Sequence, residues 1–207
     1  MDHPLAALLA EVAEGRYPPA DGRVTVMRPS DDGLSGVLAF TAHHVVVADV
    51  EPEWVRARLS PGDLSAPLTP PFLSALGAHT GRTVNSIDAV MVAPAIAGVP
   101  EPELEPIAPG VSAELYRADV RAWRCGGGAV ELGRGLAGRW EVTVEVERSA
   151  RGHGLGRALF GAARFLVATL AQPGEPVWAQ VAPGNVASVR ALLEAGYRPG
   201  GAEALLL

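Results

Sequence analysis

The 207-residue sequence contains one cysteine, Cys125, and no lysine. A single cysteine cannot form an internal disulfide, a CxxC redox pair or a thiolate zinc cluster. Without lysine the chain has no Schiff-base nucleophile, no P-loop lysine and no kinase-type strand lysine. These two absences exclude several large classes of enzyme.

Metal ligands, positive charge and long apolar runs are also scarce. The five histidines show no HExxH or comparable spacing, so we expect no metal site. The formal net charge of −6 argues against partners such as nucleic acid or anionic lipid. No apolar run reaches the roughly 18 residues of a membrane span, and Met1-Asp2-His3-Pro4 lacks the basic start of a signal peptide. We therefore expect a cytoplasmic protein with no membrane or nucleic-acid partner.

The first 93 residues predict short helices and strands but carry no motif that indicates a reaction. Residues 36–49 are apolar and β-branched, and they predict either two strands or a strand and a turn. Residues 94–109 contain five prolines and three glutamates, which is typical of an extended connector. The predicted organisation is an N-terminal α/β region (1–93), a Pro-rich connector (94–112) and a C-terminal core (113–207).

The C-terminal core has the most regular pattern. Strands at 118–125 and 129–134 form a predicted hairpin around three glycines, and Arg117, Arg121 and Arg124 are interpreted as a solvated edge. The strand at 139–147 alternates, with valines on one face and Glu141, Thr143 and Glu145 on the other. A helix at 155–170 has one apolar stripe, and a strand (177–181), a second helix and a final strand (197–207) follow.

A glycine-rich loop joins that alternating strand to its helix: Arg151-Gly152-His153-Gly154-Leu155-Gly156-Arg157-Ala158. The first N–H groups of a helix lack intrahelical partners and carry positive potential, so such a loop suits a phosphate. Its arginines can add charged hydrogen bonds. A tight turn without a ligand is the alternative interpretation. The loop is not a P-loop, because GK[ST] is absent, and its GxGxG spacing differs from the dinucleotide-binding GxGxxG.

The loop resembles the acyl-CoA loop (R/Q-x-x-G-x-G/A) of the GNAT superfamily of N-acetyltransferases. The segment from Asn185 through Ser188 to Gly196-Tyr197 is similar to the second motif of that family. The resemblance covers about residues 113–207. It implies an α/β fold with a mixed, splayed central sheet, to which the N-terminal region would be added, with Gly22 to Ala93 as a candidate degenerate half-domain.

The resemblance further implies that acetyl-CoA is the co-substrate. The backbone at Val144 and Val146 would pair with the pantetheine arm, which would insert like an extra strand. The diphosphate would bind the loop from Arg151 to Ala158. Asn185 and Ser188 would lie near the pantetheine. A helix cap is the alternative interpretation of Asn185, and both can be true. The cofactor-binding residues predicted in this way are Val144, Val146, Arg151, Gly152, His153, Gly154, Leu155, Gly156, Arg157, Ala158, Asn185 and Ser188.

The implied reaction is direct transfer of the acetyl group to a primary amine of an unidentified acceptor. The amine must be neutral to attack, and Glu141 and Glu145 are the candidate bases; solvated charges on an outer face are the alternative. Leu192 stands where many family members have a tyrosine that protonates the leaving thiolate, so no acid is assigned and Tyr116 is unplaced. Cys125 as a covalent acyl carrier is a further alternative.

Two other functions remain open from the sequence. The chain could be a non-catalytic acyl-CoA-binding or interaction module that retains the fold, or a nucleotide-binding regulator that uses only the glycine loop. The sequence also leaves the oligomeric state open, a homodimer included.

Overall fold

The computed structural model describes residues 3–30, 33–110 and 116–207. The chain divides into two compact units, which we call unit 1 (residues 1–89 and 200–207) and unit 2 (residues 90–199). The predicted boundaries at 93 and 112 differ from these limits, because the last residues of the chain group with unit 1. The start of the predicted core at residue 113 lies outside the described residues, and the three-part division stays a prediction.

The described residues form both α-helices and β-strands. The helices are α1 (Pro4–Ala13), α2 (Pro52–Arg56), α3 (Pro70–Thr80), α4 (Leu155–Leu170) and α5 (Val186–Glu194). The strands are β1 (Val24–Met27), β2 (Ser35–Phe40), β3 (His43–Val47), β4 (Val84–Pro94), β5 (Glu105–Ile107), β6 (Ala118–Cys125), β7 (Gly128–Arg134), β8 (Trp140–Val146), β9 (Pro176–Val181) and β10 (Arg198–Leu206). Within the three described ranges, no helix is both long enough and apolar enough to cross a membrane.

Unit 1 contains the strands β1, β3, β2, β10 and the first part of β4, in that order. β1 and β3 are parallel, whereas β2 is antiparallel to both β3 and β10. The apolar segment 36–49 is therefore two strands, one of the two predicted alternatives. The core of the unit is aliphatic and includes Val37, Val46, Leu76 and Leu206, all fully buried.

Unit 2 contains the second part of β4 followed by β9, β8, β7, β6 and β5. β5 to β8 are antiparallel to one another, and β8 is parallel to β9, so the sheet is mixed. α4 packs on β7, β8 and β9 with buried Leu159, Ala162, Ala163 and Val167. This is the apolar stripe that the sequence predicts. The predicted α/β fold with a mixed, open sheet is confirmed.

Within the described part of the connector predicted at 94–112, Glu105–Ile107 forms a short strand. This strand, β5, pairs with β6 through Glu105 opposite Arg124 and Ile107 opposite Ala122. A proline in the centre of the strand, Pro106, is tolerated because β5 is the last strand on its side of the unit 2 sheet. The connector therefore extends the sheet that carries the candidate site.

Candidate functional site

The junction between β8 and α4 has an unusual backbone. A short 3-10 turn, Arg148–Ala150, leads into the glycine loop, where Gly152 and Gly154 both have φ of 82°. Side chains other than glycine are strained at such positive φ values. Gly154 occupies the N-cap position of α4 and provides no side-chain oxygen to the first turn of the helix. The helix therefore begins without the cap that usually satisfies its first N–H groups.

The amides of this loop are available to a ligand. Two backbone hydrogen bonds are described at its ends, Arg151 N–H to Arg148 O (3.5 Å) and Ala158 N–H to Gly154 O (3.0 Å). Across the described chain, no protein acceptor is found for the N–H groups from 152 to 157. Residues 151–154 are exposed to solvent. Uncapped, exposed amides at the positive end of a helix dipole form a site for an anion.

The two arginines of the loop have different roles. Arg151 folds back, and its Nε donates to the carbonyl oxygen of Val146 (3.0 Å), which ties the loop to the end of β8. Arg157 is exposed, and its Nη2 lies 3.9 Å from the position that a Cβ on Gly154 would occupy. It is therefore the arginine placed to contact an anion on the loop. His153 is exposed in the same loop.

A cavity of about 550 Å³ adjoins the first turns of α4. It is open to solvent and combines apolar groups with the charges of one arginine and two glutamates. A molecule whose anionic group sat on the loop could extend into this space. The residues that line it are Val99, Glu101, Arg157, Ala158, Gly161, Phe165, Glu194 and Ala195.

The parallel strands β8 and β9 pair over a short distance only. Their register joins Trp140 to Val177 and Glu141 to Trp178 and extends no further, although β8 continues to Val146. On its other side β8 stays paired with β7 as far as Val146. The edge of β8 that faces β9 is therefore open from residue 142 onward. Val144 and Val146, predicted to pair with a pantetheine arm, lie on this open stretch and are half-buried.

The second helix of the site, α5, begins with an ordinary cap. The side chain of Asn185 accepts a hydrogen bond from the N–H of Ser188 (3.2 Å), and Asn185 is exposed. The helix-cap interpretation of Asn185 is thus confirmed, whereas contact of Asn185 or Ser188 with a pantetheine stays a prediction. Because β8 and β9 are parallel, the loops that follow them lie at the same edge of the sheet, where α/β proteins bind ligands.

The first candidate base, Glu141, is fully buried in an ionic cluster. Its carboxylate accepts hydrogen bonds from Arg117 Nε (3.0 Å) and Arg139 Nε (2.8 Å). The Arg117 and Arg139 side chains are only 5% and 3% exposed. Burial alone raises the pKa of the Glu141 carboxyl, but the charges of the two arginines and a hydrogen bond from Gln180 outweigh it, and the net pKa is lowered.

A buried carboxylate with a lowered pKa and two guanidinium partners is a weak base. Glu141 is therefore suited to hold Arg117 and Arg139 in place rather than to accept a proton. Solvation on an outer face, the alternative interpretation, is wrong for Glu141. Glu145, the second candidate, lies on the same face of β8 four residues later and is exposed. Of the two carboxylates, only Glu145 is accessible to an incoming amine.

Sequence reasoning missed Arg117 and its partners. Arg117 was interpreted as part of a solvated edge, and this is wrong because its guanidinium is buried against β8. Two glycines carried a signal, Gly133 in β7 and Gly135 directly after this strand. A Cβ added at Gly133 would lie 3.0 Å from Arg117 Cβ, and one added at Gly135 would overlap the Glu141 carboxylate. Glycine at such positions indicates that other groups approach the backbone closely.

An apolar residue, Leu192, stands at the position where many members of the GNAT superfamily, which the sequence motifs resemble, have a tyrosine. Leu192 is fully buried, and the nearby Tyr197 is buried with its hydroxyl donating to Phe160 O (3.1 Å). Burial raises the pKa of the Tyr197 phenol. Tyr116 is half-buried, and its hydroxyl oxygen accepts a hydrogen bond from Arg117 Nη2 (2.9 Å). Tyr116, and not Tyr197, is therefore the phenol that lies beside β8.

Comparison with solved structures finds several similar chains. One is a GCN5-related N-acetyltransferase from Kribbella flavida, with 19% identity and a TM-score of 0.43; the match covers 66% of this chain and 63% of that one. A second is a putative acetyltransferase of the GNAT family from Novosphingobium aromaticivorans, with 19% identity, a TM-score of 0.41 and coverage of 61% and 66%. This chain thus spans less than two thirds of either protein.

A third similar structure is a tandem GNAT protein from the clavulanic acid biosynthesis pathway, with 18% identity and a TM-score of 0.39. The match covers 74% of this chain and 67% of that one. No protein-family model and no curated protein matches the sequence.

Proposed function

We propose that this protein is an acyl-CoA-dependent N-acyltransferase of the GNAT superfamily, and that it uses acetyl-CoA as the acyl donor. The observation that carries the proposal is the glycine loop, in which uncapped and exposed amides follow directly on an open strand edge. A diphosphate would bind the amides, and an extended amide-containing arm would pair with the edge of β8. A ligand that needs both features is a coenzyme A thioester.

The residues of unit 2 fit this coenzyme. The loop amides and Arg157 would bind its diphosphate oxygens. The backbone of Val144 and Val146 would hydrogen-bond the pantetheine amides, so that the thioester lies against β8. The cavity beside Arg157 leaves room for the remainder of the coenzyme. The site predicted from the sequence is in this way compatible with the geometry of the loop and strand.

The chemistry requires one proton acceptor near β8. In the reaction, the nitrogen of a neutral amine forms a bond to the thioester carbonyl carbon, the carbon–sulfur bond breaks, and CoA leaves as a thiolate that takes up a proton from water. Glu145 would take the proton from the attacking amine, directly or through a water. A backbone N–H of β8 would donate to the carbonyl oxygen as negative charge develops on it.

The proposal is tested by two measurements on the full chain. Isothermal titration should give a dissociation constant for CoA, and a thiol assay should detect CoA release from acetyl-CoA with a panel of amines. Binding together with release supports the enzyme. Binding without release for any amine would indicate the non-catalytic acyl-CoA module instead, and no binding of CoA would contradict both.

Glu145→Gln tests the assignment of the base. We expect kcat to fall by roughly 100-fold, within the range of general-base effects, with the CoA dissociation constant unchanged. Glu147→Gln, two residues further along, is the matched control and should keep its activity. Equal kcat for Glu145→Gln and the unaltered protein would show that the proton goes elsewhere.

A further inference from the structure

Three polar side chains of unit 1 form a connected chain outside the site described above. Asp21 precedes β1, Thr25 lies in β1, and His43 is the first residue of β3. The Nδ1 atom of His43 lies 2.9 Å from Asp21 Oδ1, and its Nε2 atom lies 3.4 Å from Thr25 Oγ1. A nucleophile and its base are often this far apart before a substrate binds. A carboxylate, an imidazole and a hydroxyl linked in this order are the arrangement that activates a nucleophile.

The hydrogen bonds define which ring nitrogen of His43 carries the proton. The Asp21 carboxylate also accepts a hydrogen bond from the backbone N–H of Arg23 (3.0 Å), and this bond and the contact with His43 lower the pKa of Asp21. An ionised carboxylate only accepts hydrogen bonds, so Nδ1 of His43 is the donor toward it. In the neutral ring Nε2 is then an acceptor, and the Thr25 hydroxyl donates to it.

The register of the parallel strands β1 and β3 brings Thr25 and His43 together. Thr25 lies opposite Val45, and His43, two residues before Val45, therefore projects from the same face of the sheet. The side chain of His43 is 12% exposed and that of Asp21 is 26% exposed, while Thr25 is half-buried. The imidazole is thus largely shielded from water, which strengthens its hydrogen bonds, and a small molecule can still reach the chain from solvent.

One side of β1 has no neighbouring strand. Among the described residues, β1 pairs with β3 alone. The carbonyl oxygen of Met27 accepts from the N–H of Ala48, directly after β3 (3.0 Å), so the backbone groups of Met27 face β3. Because these groups alternate in direction along a strand, the N–H of Val26 points to the open side. This N–H directly follows Thr25 in the chain and is a donor for an oxygen on which negative charge develops.

We propose that Thr25 is a further acyl-transfer site, which takes an acyl group from an activated ester or thioester, with His43 as its base and Asp21 as the residue that orients His43. Thr25 Oγ1 bonds to the carbonyl carbon, and the hydroxyl proton moves to His43 Nε2. The bond from that carbon to the leaving oxygen or sulfur breaks, and the proton departs with the resulting alcohol or thiol. The site lies wholly in unit 1 and does not depend on the function proposed above.

The test uses p-nitrophenyl acetate and the full chain, with Cys125→Ser as the background so that the single thiol does not react. We expect release of p-nitrophenolate above the rate in buffer. Thr25→Val should lower this release about 10-fold or more, whereas Thr25→Ser keeps the hydroxyl and should retain it. No release above the buffer rate, or release that Thr25→Val leaves unchanged, would overturn the proposal.

A pair of histidine variants tests the base. His43→Gln should lower the release of p-nitrophenolate about 10-fold or more, because the Thr25 hydroxyl then has no proton acceptor. His79→Gln, at an exposed position of α3, is the matched control and should keep the rate. Circular dichroism confirms that each variant is folded. Equal rates in folded His43→Gln and His79→Gln would overturn the proposal.

The tautomer of His43 gives a readout that needs no variant. ¹⁵N NMR of the imidazole distinguishes a protonated ring nitrogen from an unprotonated one, and we expect the neutral His43 ring to carry its proton on Nδ1. Asp21→Asn should reduce this preference and slow the release of p-nitrophenolate with it, since a side-chain amide can also donate. A neutral His43 ring with its proton on Nε2 in the unaltered protein would overturn the proposal, because it cannot take a proton from Thr25.

Discussion

In unit 2 the parallel neighbouring strands β8 and β9 each lead into a helix. The first N–H groups of these two helices are satisfied in different ways. At the start of α5, Asn185 places a side-chain oxygen on the N–H of Ser188. At the start of α4, Gly154 has no side chain to offer, and residues 151–154 are exposed while Leu155 and Gly156 are half-buried. The chain itself satisfies the first N–H groups of α5 with a side chain and provides no such cap at α4, where we propose that a ligand binds.

This difference shows how a binding site can be recognised without a ligand. A cap typically stabilises a protein by about 1 kcal/mol, so an uncapped helix of 16 residues gives up stability. The two glycines at positive φ add to this cost, since glycine loses the most backbone freedom on folding. Open amides, positive φ and an adjoining open strand edge are together the features on which the proposed ligand-binding role of this loop rests.

The largest expected effect comes from a side chain that covers the glycine loop at the start of α4. In Gly154→Val a β-branched residue would have to adopt a φ of 82°, and its side chain would cover the loop amides. We expect the dissociation constant for CoA to rise by at least 100-fold, or about 3 kcal/mol, in isothermal titration.

Gly174→Val is the matched control, because Gly174 also has a positive φ (90°) and lies in the turn after α4, where an added Cβ meets no atom within 4 Å. It should keep the CoA affinity while carrying the same kind of backbone strain, since a β-branched residue is disfavoured at that φ. Unchanged CoA affinity in a folded Gly154→Val protein would contradict the role of the loop.

The next largest effect concerns the positive charge beside the glycine loop. Arg157→Gln removes the exposed guanidinium near Gly154, and we expect CoA binding to weaken about 10-fold at low salt. The loss should shrink as ionic strength rises, because salt screens exposed charges. Arg124→Gln, an exposed arginine of β6, is the control. Equal losses in both variants would mean that overall charge, and not a local contact, governs affinity.

The smallest expected effect comes from removing the helix cap at the start of α5. Asn185→Ala removes the cap of α5, and chemical denaturation should show a loss of about 1 kcal/mol in the free energy of unfolding. CoA affinity should change less than twofold if the side chain is only a cap. A tenfold loss of affinity with stability unchanged would instead assign Asn185 to the pantetheine, as the family resemblance implies.

The local features of unit 2 were predictable because their signals lie close together in the sequence. The alternation of β8, the apolar stripe of α4 and the cap at Asn185 each depend on residues a few positions apart. Arg117 and Glu141 are 24 residues apart, and no periodic pattern links them. The pattern placed Glu141 and Thr143 on one face correctly but could not show what packs on that face.

The boundary between the two units was not predictable for a related reason. β10 is the last strand among the described residues, yet its residues Ala202 to Leu206 pair with β2, which begins at Ser35. Pairing over such a distance depends on which edges remain available after the rest has folded, and local propensity carries no information about it. The extent of β8–β9 pairing is of the same kind, since both strands read as continuous in the sequence.

The short pairing of β8 with β9 has a thermodynamic consequence. If an extended arm completes the sheet there, the donor molecule becomes part of the folded framework, and its concentration enters the folding equilibrium directly. At 100 times the dissociation constant it would add about 2.7 kcal/mol, enough to move the melting temperature by several degrees. Backbone amides of residues 142–146 would then exchange with deuterium quickly without the donor and slowly with it.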